Sequence, residues 1–251
     1  MRATVLTAFG VSTSAKETYS FFEQKFRKRF PDETVSWAFS SKTLRHDMKE
    51  KGISWESPEN ILSRLKKQGY TSAVLQSLHI VTGIEFDKVI HAAQQAPVKV
   101  SVGMPLLTNE SDCNRAIDAI STEISDPIER ITILAGHGTV HTNARSKYAL
   151  FEKCLKLRYP KNVHLCMVEG EPSFSALYEE IQKADIPRIK FVPFMFVAGE
   201  HIFSDVLGNH KESWKSRLAG LDIEVCEKGL GFNEKILEIY FDHLQIAMDK
   251  L

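Results

Sequence analysis

Along the chain, short runs of β-branched and aliphatic residues alternate with longer stretches whose apolar positions recur every three or four residues. The runs at residues 3–9, 34–39, 71–80 and 98–102 read as strands, and so do those at 131–134, 163–168, 189–196 and 223–226. Between them the spacing predicts helices. Ser14-Ala15-Lys16-Glu17 has the form of a capping box, in which the serine oxygen accepts a backbone N–H and the glutamate reaches back. Tyr19, Phe22, Phe26 and Phe30 then fall on one helical face, and Pro31 helps to end it. That stripe reads as core. Ser57-Pro58 opens another helix and Gly69 closes it. Further helices are expected at 43–51, 86–95, 145–157, 173–183, 203–218 and 233–250. Strands alternating with helices pack as parallel sheets covered on both faces.

The halves also match each other. Thr7-Ala8-Phe9-Gly10 parallels Ala135-Gly136-His137-Gly138 at each first strand's end, and the stretch 78–85 parallels 194–201 at each third strand's end. A repeat of this length predicts an α/β protein of two similar doubly wound parallel-sheet domains with a cleft between them. The expected division is 1–125 and 126–251, with the boundary around 121–129, where Pro127 interrupts a charged stretch.

Composition narrows the function classes. The chain has 251 residues, 43% of them hydrophobic and 25% charged, which is ample for a sizeable core. Thirty-two basic residues balance thirty-two acidic ones, so charge offers no general argument for a nucleic acid or membrane partner. The start enters a strand pattern directly, and no signal peptide is expected. The most apolar stretch, 191–198, is too short to span a bilayer. Four cysteines form no CxxC pair, which favours reduced thiols and a cytoplasmic location.

The chemistry collects in the second half. Ile131 to Leu134 is a strand run that ends at Gly136-His137-Gly138, where two glycines permit a tight turn around an imidazole. Glu169 follows the next strand and His201 the one after. In a parallel sheet these three ends lie on one edge, where ligands of open α/β sheets bind. Two imidazoles and a carboxylate suit a divalent transition metal with open coordination positions, and the same groups also suit proton transfer. Helix capping is the competing reading for Glu169, near Pro172, and for His201, near Phe203. His141, His164, His210 and His243 lack such placement and read as surface or structural. His79 lies in an apolar strand pattern and reads as a satisfied core histidine. Glu85, the first-half counterpart of His201, is a candidate for the same cleft. A dinucleotide site fits poorly, because His141 stands where the third glycine belongs. No GxxxxGK[ST] loop or GxSxG elbow occurs, and Gly136 stands where a histidine phosphatase would want arginine.

These residues resemble the anaerobic cobalt chelatases that insert metal into sirohydrochlorin, of the class II tetrapyrrole chelatase group. The resemblance runs through Phe9-Gly10, the RFPDETVSWAFSS segment, LQSLHIVTGIEF, AGHGT, VEG, PFMFVAGEH and SWKS, and so spans the chain. FGVST and QSLHIVTGIEF depart from the family's FGTSY and QPLHIIPGEEY. The resemblance implies a metal site of His137, Glu169 and His201, with His137 as proton acceptor and a terminal helix that crosses back onto the first domain. Gly10, Glu85, Gly136 and Gly138 are then expected to face the tetrapyrrole, with Lys42 and Arg45 as candidates for its carboxylates. The implied activity is nucleotide-independent insertion of Co²⁺ into a sirohydrochlorin-type tetrapyrrole for cobalamin biosynthesis. Fe²⁺ or Ni²⁺ as the metal, as in siroheme-type chelation, stays open, as does a homo-oligomeric state. Two rivals compete: a carrier that binds metal or metallotetrapyrrole without catalysis, and a metallohydrolase, for which the sequence offers no clear additional acid–base residue.

Overall fold

The computed structural model describes residues 1–10, 16–124, 130–139, 141–183, 186–199 and 202–251. Its strands form two four-stranded parallel sheets of one plan. In the first, β1 (Arg2–Ala8), β2 (Val35–Phe39), β3 (Ser72–Ser77) and β4 (Lys99–Gly103) run in the order β2-β1-β3-β4. In the second, β5 (Arg130–Gly138), β6 (Val163–Glu169), β7 (Arg188–Pro193) and β8 (Asp222–Val225) repeat it as β6-β5-β7-β8. The doubly wound repeat expected from the sequence is therefore present, strand for strand. In each sheet the order reverses beside the first strand, between β1 and β3 and between β5 and β7. The carboxyl ends flanking such a reversal are where open α/β sheets take their ligands.

Helices cover the sheets by burying the predicted stripes. In α1 (Lys16–Arg29), Phe22 and Phe26 are fully buried, while the capping-box serine expected before it lies outside the described residues. Ser41 caps α2 (Lys42–Glu50) and Ser57 caps α3 (Pro58–Lys67), each side chain accepting a backbone N–H three residues on. Ile61, Leu62 and Leu65 of α3 join Ala3, Val5, Ala73 and Leu75 in the first core, with Val89 from α4 (Ile84–Gln94). The second core gathers Ile131, Ile133, Cys166 and Phe191 with Phe174, Leu177 and Ile181 of α7 (Phe174–Lys183). Phe174 stacks on Trp214 with ring centroids 4.7 Å apart. Lys190, inside β7, is only 6% exposed, and it is matched by Glu123 at 2.9 Å and Glu224 at 3.0 Å.

By packing, the chain divides into Met1–Thr108 with Leu237–Leu251, and Asn109–Ile236. Thus α5 (Glu110–Ile120), capped by Asn109, packs with the second unit although it precedes the expected boundary, part of which (125–129) lies outside the described residues. Within the first unit, Phe241 of α9 (Glu234–Met248) meets Phe22 at 5.3 Å between centroids, and the Tyr240 hydroxyl donates to the carbonyl of His79 at 3.1 Å.

Three expectations need correction. β3 stops at Ser77 rather than 80, because the carbonyls of His79 and Ile80 turn to accept the amides of Leu106 and Leu107 at 3.0 and 2.8 Å. β7 ends at Pro193 rather than 196, with the Phe194 amide making a last bond to the Ala135 carbonyl at 2.8 Å and Pro193 itself offering no N–H. The single helix expected at 203–218 is instead a π-helical turn, Ile202–Val206, followed by the short α8 (Trp214–Arg217). Gly208 interrupts the pair, and a Cβ there would lie 2.1 Å from the Ser204 carbonyl oxygen. No helix among the described residues is long and apolar enough to cross a membrane.

Candidate metal centre

β5 runs buried from Ile131 to Gly136 and then surfaces, leaving His137 half-buried at the carboxyl edge. His137 Nδ1 lies 3.3 Å from the carbonyl oxygen of Gly138. A carbonyl only accepts, so this contact calls for a proton on Nδ1, and a singly protonated ring would then carry its lone pair on Nε2. That nitrogen is the one suited to hold a metal or take a proton. Thr139 closes the turn by accepting the His141 backbone N–H at 3.0 Å, and α6 (Thr142–Arg158) follows with His141 as its N-cap residue.

Glu169 ends the neighbouring strand. The register pairs it with Gly138, one step beyond His137. A regular pleat would send residues one step apart to opposite faces, but Gly138 and Gly170 both have positive φ, +86° and +93°, and end the pleat there. Glu169 is exposed, and among the described residues its carboxylate makes no hydrogen bond or ion pair. Just before the helix that follows, it is Glu171 whose carboxylate accepts the Ser173 N–H at 2.7 Å.

The glycines flanking His137 do different work. A Cβ on Gly138 would stand 1.8 Å from the Glu169 carbonyl oxygen and 2.9 Å from Met167 Cβ, in a left-handed backbone. One on Gly136 would meet the Met167 sulfur at 2.7 Å, part of a side chain able to shift. We therefore expect Gly138→Ala to cost about 3 kcal/mol or more, from strain plus a main-chain clash, and to abolish activity by parting β5 from β6. Gly136→Ala should cost roughly 1 kcal/mol. Thermal midpoints of the two variants beside the parent test the ranking, which fails if the two shifts are equal.

His201, the third expected ligand, lies outside the described residues. Among the described residues no group of three or more His, Cys, Asp or Glu side chains is arranged to hold a metal ion. The structure thus places His137 and Glu169 at adjacent strand ends.

In the first unit, Gly10 is buried at the end of β1 with φ +104°. Its amide hydrogen-bonds the Tyr19 hydroxyl, and a Cβ would stand 3.0 Å from the Trp55 ring. Of the two cations considered for substrate carboxylates, Arg45 donates to the carbonyl of Phe39 and so braces the end of β2, while Lys42 is exposed. His79 is a satisfied histidine, as expected, but it stands just past the strand rather than within it. Ser40 Oγ lies 3.2 Å from its Nε2 and Ser77 Oγ 2.9 Å from its Nδ1. Burial pushes its pKa down to about 4, with the Glu85 charge opposing and Lys88 adding to the shift. This serine shell carries no local sequence signal, since Ser40 and His79 meet only through the pairing of β2 and β3 with β1.

The family model described as cobalt chelatase (CbiK) matches residues 2–249. The sirohydrochlorin cobaltochelatase CbiKC of Nitratidesulfovibrio vulgaris is 30% identical over 258 residues, covering 98% of this chain and 90% of that protein. The sirohydrochlorin cobaltochelatase of Salmonella typhimurium is 27% identical over 259 residues, covering 99% and 97%. Among solved structures, SirB from Bacillus subtilis with Fe³⁺ superposes with a TM-score of 0.69 at 16% identity, covering 99% of this chain and 96% of its own, which speaks to the fold alone. With a match that runs from β1 to the end of α9 and takes in both halves of the repeat, the chain belongs to the cobalt chelatase (CbiK) family.

Proposed function

We propose that this protein inserts Co²⁺ into sirohydrochlorin without a nucleotide, using His137, Glu169 and His201 to handle the metal. The observation that carries the reading is the placement of His137 and Glu169 on adjacent strand ends, in a chain matched over its length by relatives named sirohydrochlorin cobaltochelatase. Insertion exchanges the ion's water ligands for four ring nitrogens and expels two pyrrolic protons, so the products are the Co²⁺ complex and two H⁺. A lone pair on His137 Nε2 accepts one of these protons or holds the ion before transfer. Glu169 holds the ion or offsets the charge that develops as protons leave. Open coordination matters, because a closed ligand shell would retain its ion. Gly10, Gly136, Gly138 and Glu85 are proposed to face the macrocycle. Imidazole and carboxylate donors also suit Fe²⁺ and Ni²⁺, which makes these ions the competitors to test.

The decisive experiment is optical. Protein, metal-free sirohydrochlorin and Co²⁺ are mixed anaerobically and the spectral change is compared with a control lacking protein. Many turnovers per protein are expected. A change that stops at one equivalent would identify a carrier instead, and repeating the assay with Fe²⁺ and Ni²⁺ would rank the metals. Separately, Co²⁺ bound to the protein should show nitrogen and oxygen neighbours at about 2.0–2.2 Å by X-ray absorption. Loss of one imidazole shell in His137→Ala is the expected difference, and an unchanged shell would remove His137 from the ligand set.

A further inference from the structure

The first unit holds a carboxylate with one buried oxygen that folding leaves without a partner among the described residues. Glu85 lies in the first turn of α4, and its Oε1 accepts a 2.5 Å bond from Lys88 Nζ one turn on. Its Oε2 is buried and, among the described residues, has no hydrogen-bond partner. Burying a carboxylate oxygen without a hydrogen-bond partner is costly, and such groups persist where a ligand completes them.

The segment leading to Glu85 is rigidly held. Leu78 donates its amide to Thr7 at 2.8 Å, the His79 and Ile80 carbonyls accept from Leu106 and Leu107, and Tyr240 donates to the His79 carbonyl. The His79 ring is locked between two serine hydroxyls and is neutral at physiological pH, so it supplies no competing positive charge. Lys88 is thus the cation bonded to Glu85.

We propose that Lys88 is a positioning residue for the insertion reaction: by holding Oε1 at the helix surface, it keeps Oε2 turned inward to receive a pyrrolic N–H or a metal-bound water. This rests on the reading of Glu85 as a substrate-facing group. Without Lys88 the carboxylate can rotate and pair with bulk water, so the cost appears in catalysis rather than in folding. An ion pair between partly exposed groups contributes little to stability.

The test compares Lys88→Met, Lys88→Arg, Glu85→Gln and the double variant Lys88→Met/Glu85→Gln in steady-state insertion assays, with thermal midpoints alongside. Lys88→Met is expected to lower kcat/KM by about tenfold with the midpoint nearly unchanged, and Lys88→Arg to restore it to within about twofold. In the Glu85→Gln background, adding Lys88→Met should change nothing further. The proposal is overturned by parental activity in Lys88→Met, or by an equal loss in both backgrounds. A silent Glu85→Gln would instead overturn the reading of Glu85 itself, and the positioning role with it.

Discussion

Replacing His137 by alanine is expected to lower turnover by about 10²–10⁴-fold while leaving the folded protein nearly as stable as the parent. The asymmetry follows from where the residue stands. Its strand is buried up to Gly136, but the His137 side chain is half-buried at the strand end and adds little packing. Its hydrogen bond to the adjacent carbonyl is local. What disappears is the lone pair at Nε2, and with it a metal donor and a proton acceptor. Asparagine retains a neutral polar group of similar reach but is not a base. His137→Asn should therefore keep more of the Co²⁺ affinity than alanine does, while remaining slow. Initial rates against Co²⁺ concentration, measured beside thermal midpoints, separate the two losses. Full turnover in His137→Ala would sink the assignment.

What could be read from the sequence was what is local in physical origin. Apolar runs bounded by glycine mark β1 and β5, since a buried parallel strand needs continuous apolar residues and a turn residue at its end. The equivalence of strand ends followed from the repeat, and the shared order of the two sheets gives it a structural basis. Placing His137 and Glu169 at neighbouring ends required only that order.

What escaped the sequence was either faint in its local signal or non-local in cause. The stripe of α5 rests largely on small residues, Cys113, Ala116 and Ala119, whose apolar signal is faint although all are buried. The demand for glycine at 138 comes from the main chain of Glu169 on another strand, and no inspection of AGHGT alone distinguishes it from Gly136. The shell around His79 draws on Ser40, Ser77 and, 161 positions away, Tyr240. The break in the expected helix at 203–218 turns on Gly208 packing against its own preceding turn. A periodicity count weighs that glycine only lightly.

The same shell around His79 yields a prediction about acid. An imidazole in an unfolded chain titrates near 6.5, whereas burial among Ser40, Ser77 and the Glu85–Lys88 pair brings His79 down to about 4. The folded pKa is the lower of the two, so between these values the unfolded state binds more protons and acid favours unfolding. The contribution is fully present above about pH 6.5, is lost as pH falls towards 4, and changes no further below that. For His79, whose ring nitrogens face serine hydroxyls rather than solvent, it amounts to about 3 kcal/mol at most. His164 is also brought to about 4, by burial and then by Lys156, whose Nζ lies 3.2 Å from its Nδ1. It is less enclosed and adjoins solvent, so its contribution is smaller. Carboxylates add their own acid dependence, which cancels when parent and variant are compared. His79→Gln should be less stable than the parent at pH 7, because it leaves a serine hydroxyl short of a partner. By pH 4.5 most of that difference should have vanished. Urea midpoints for parent, His79→Gln and His164→Gln at the two pH values measure it. A gap between parent and His79→Gln that is as wide at pH 4.5 as at pH 7 would show that the imidazole is not held neutral by the fold.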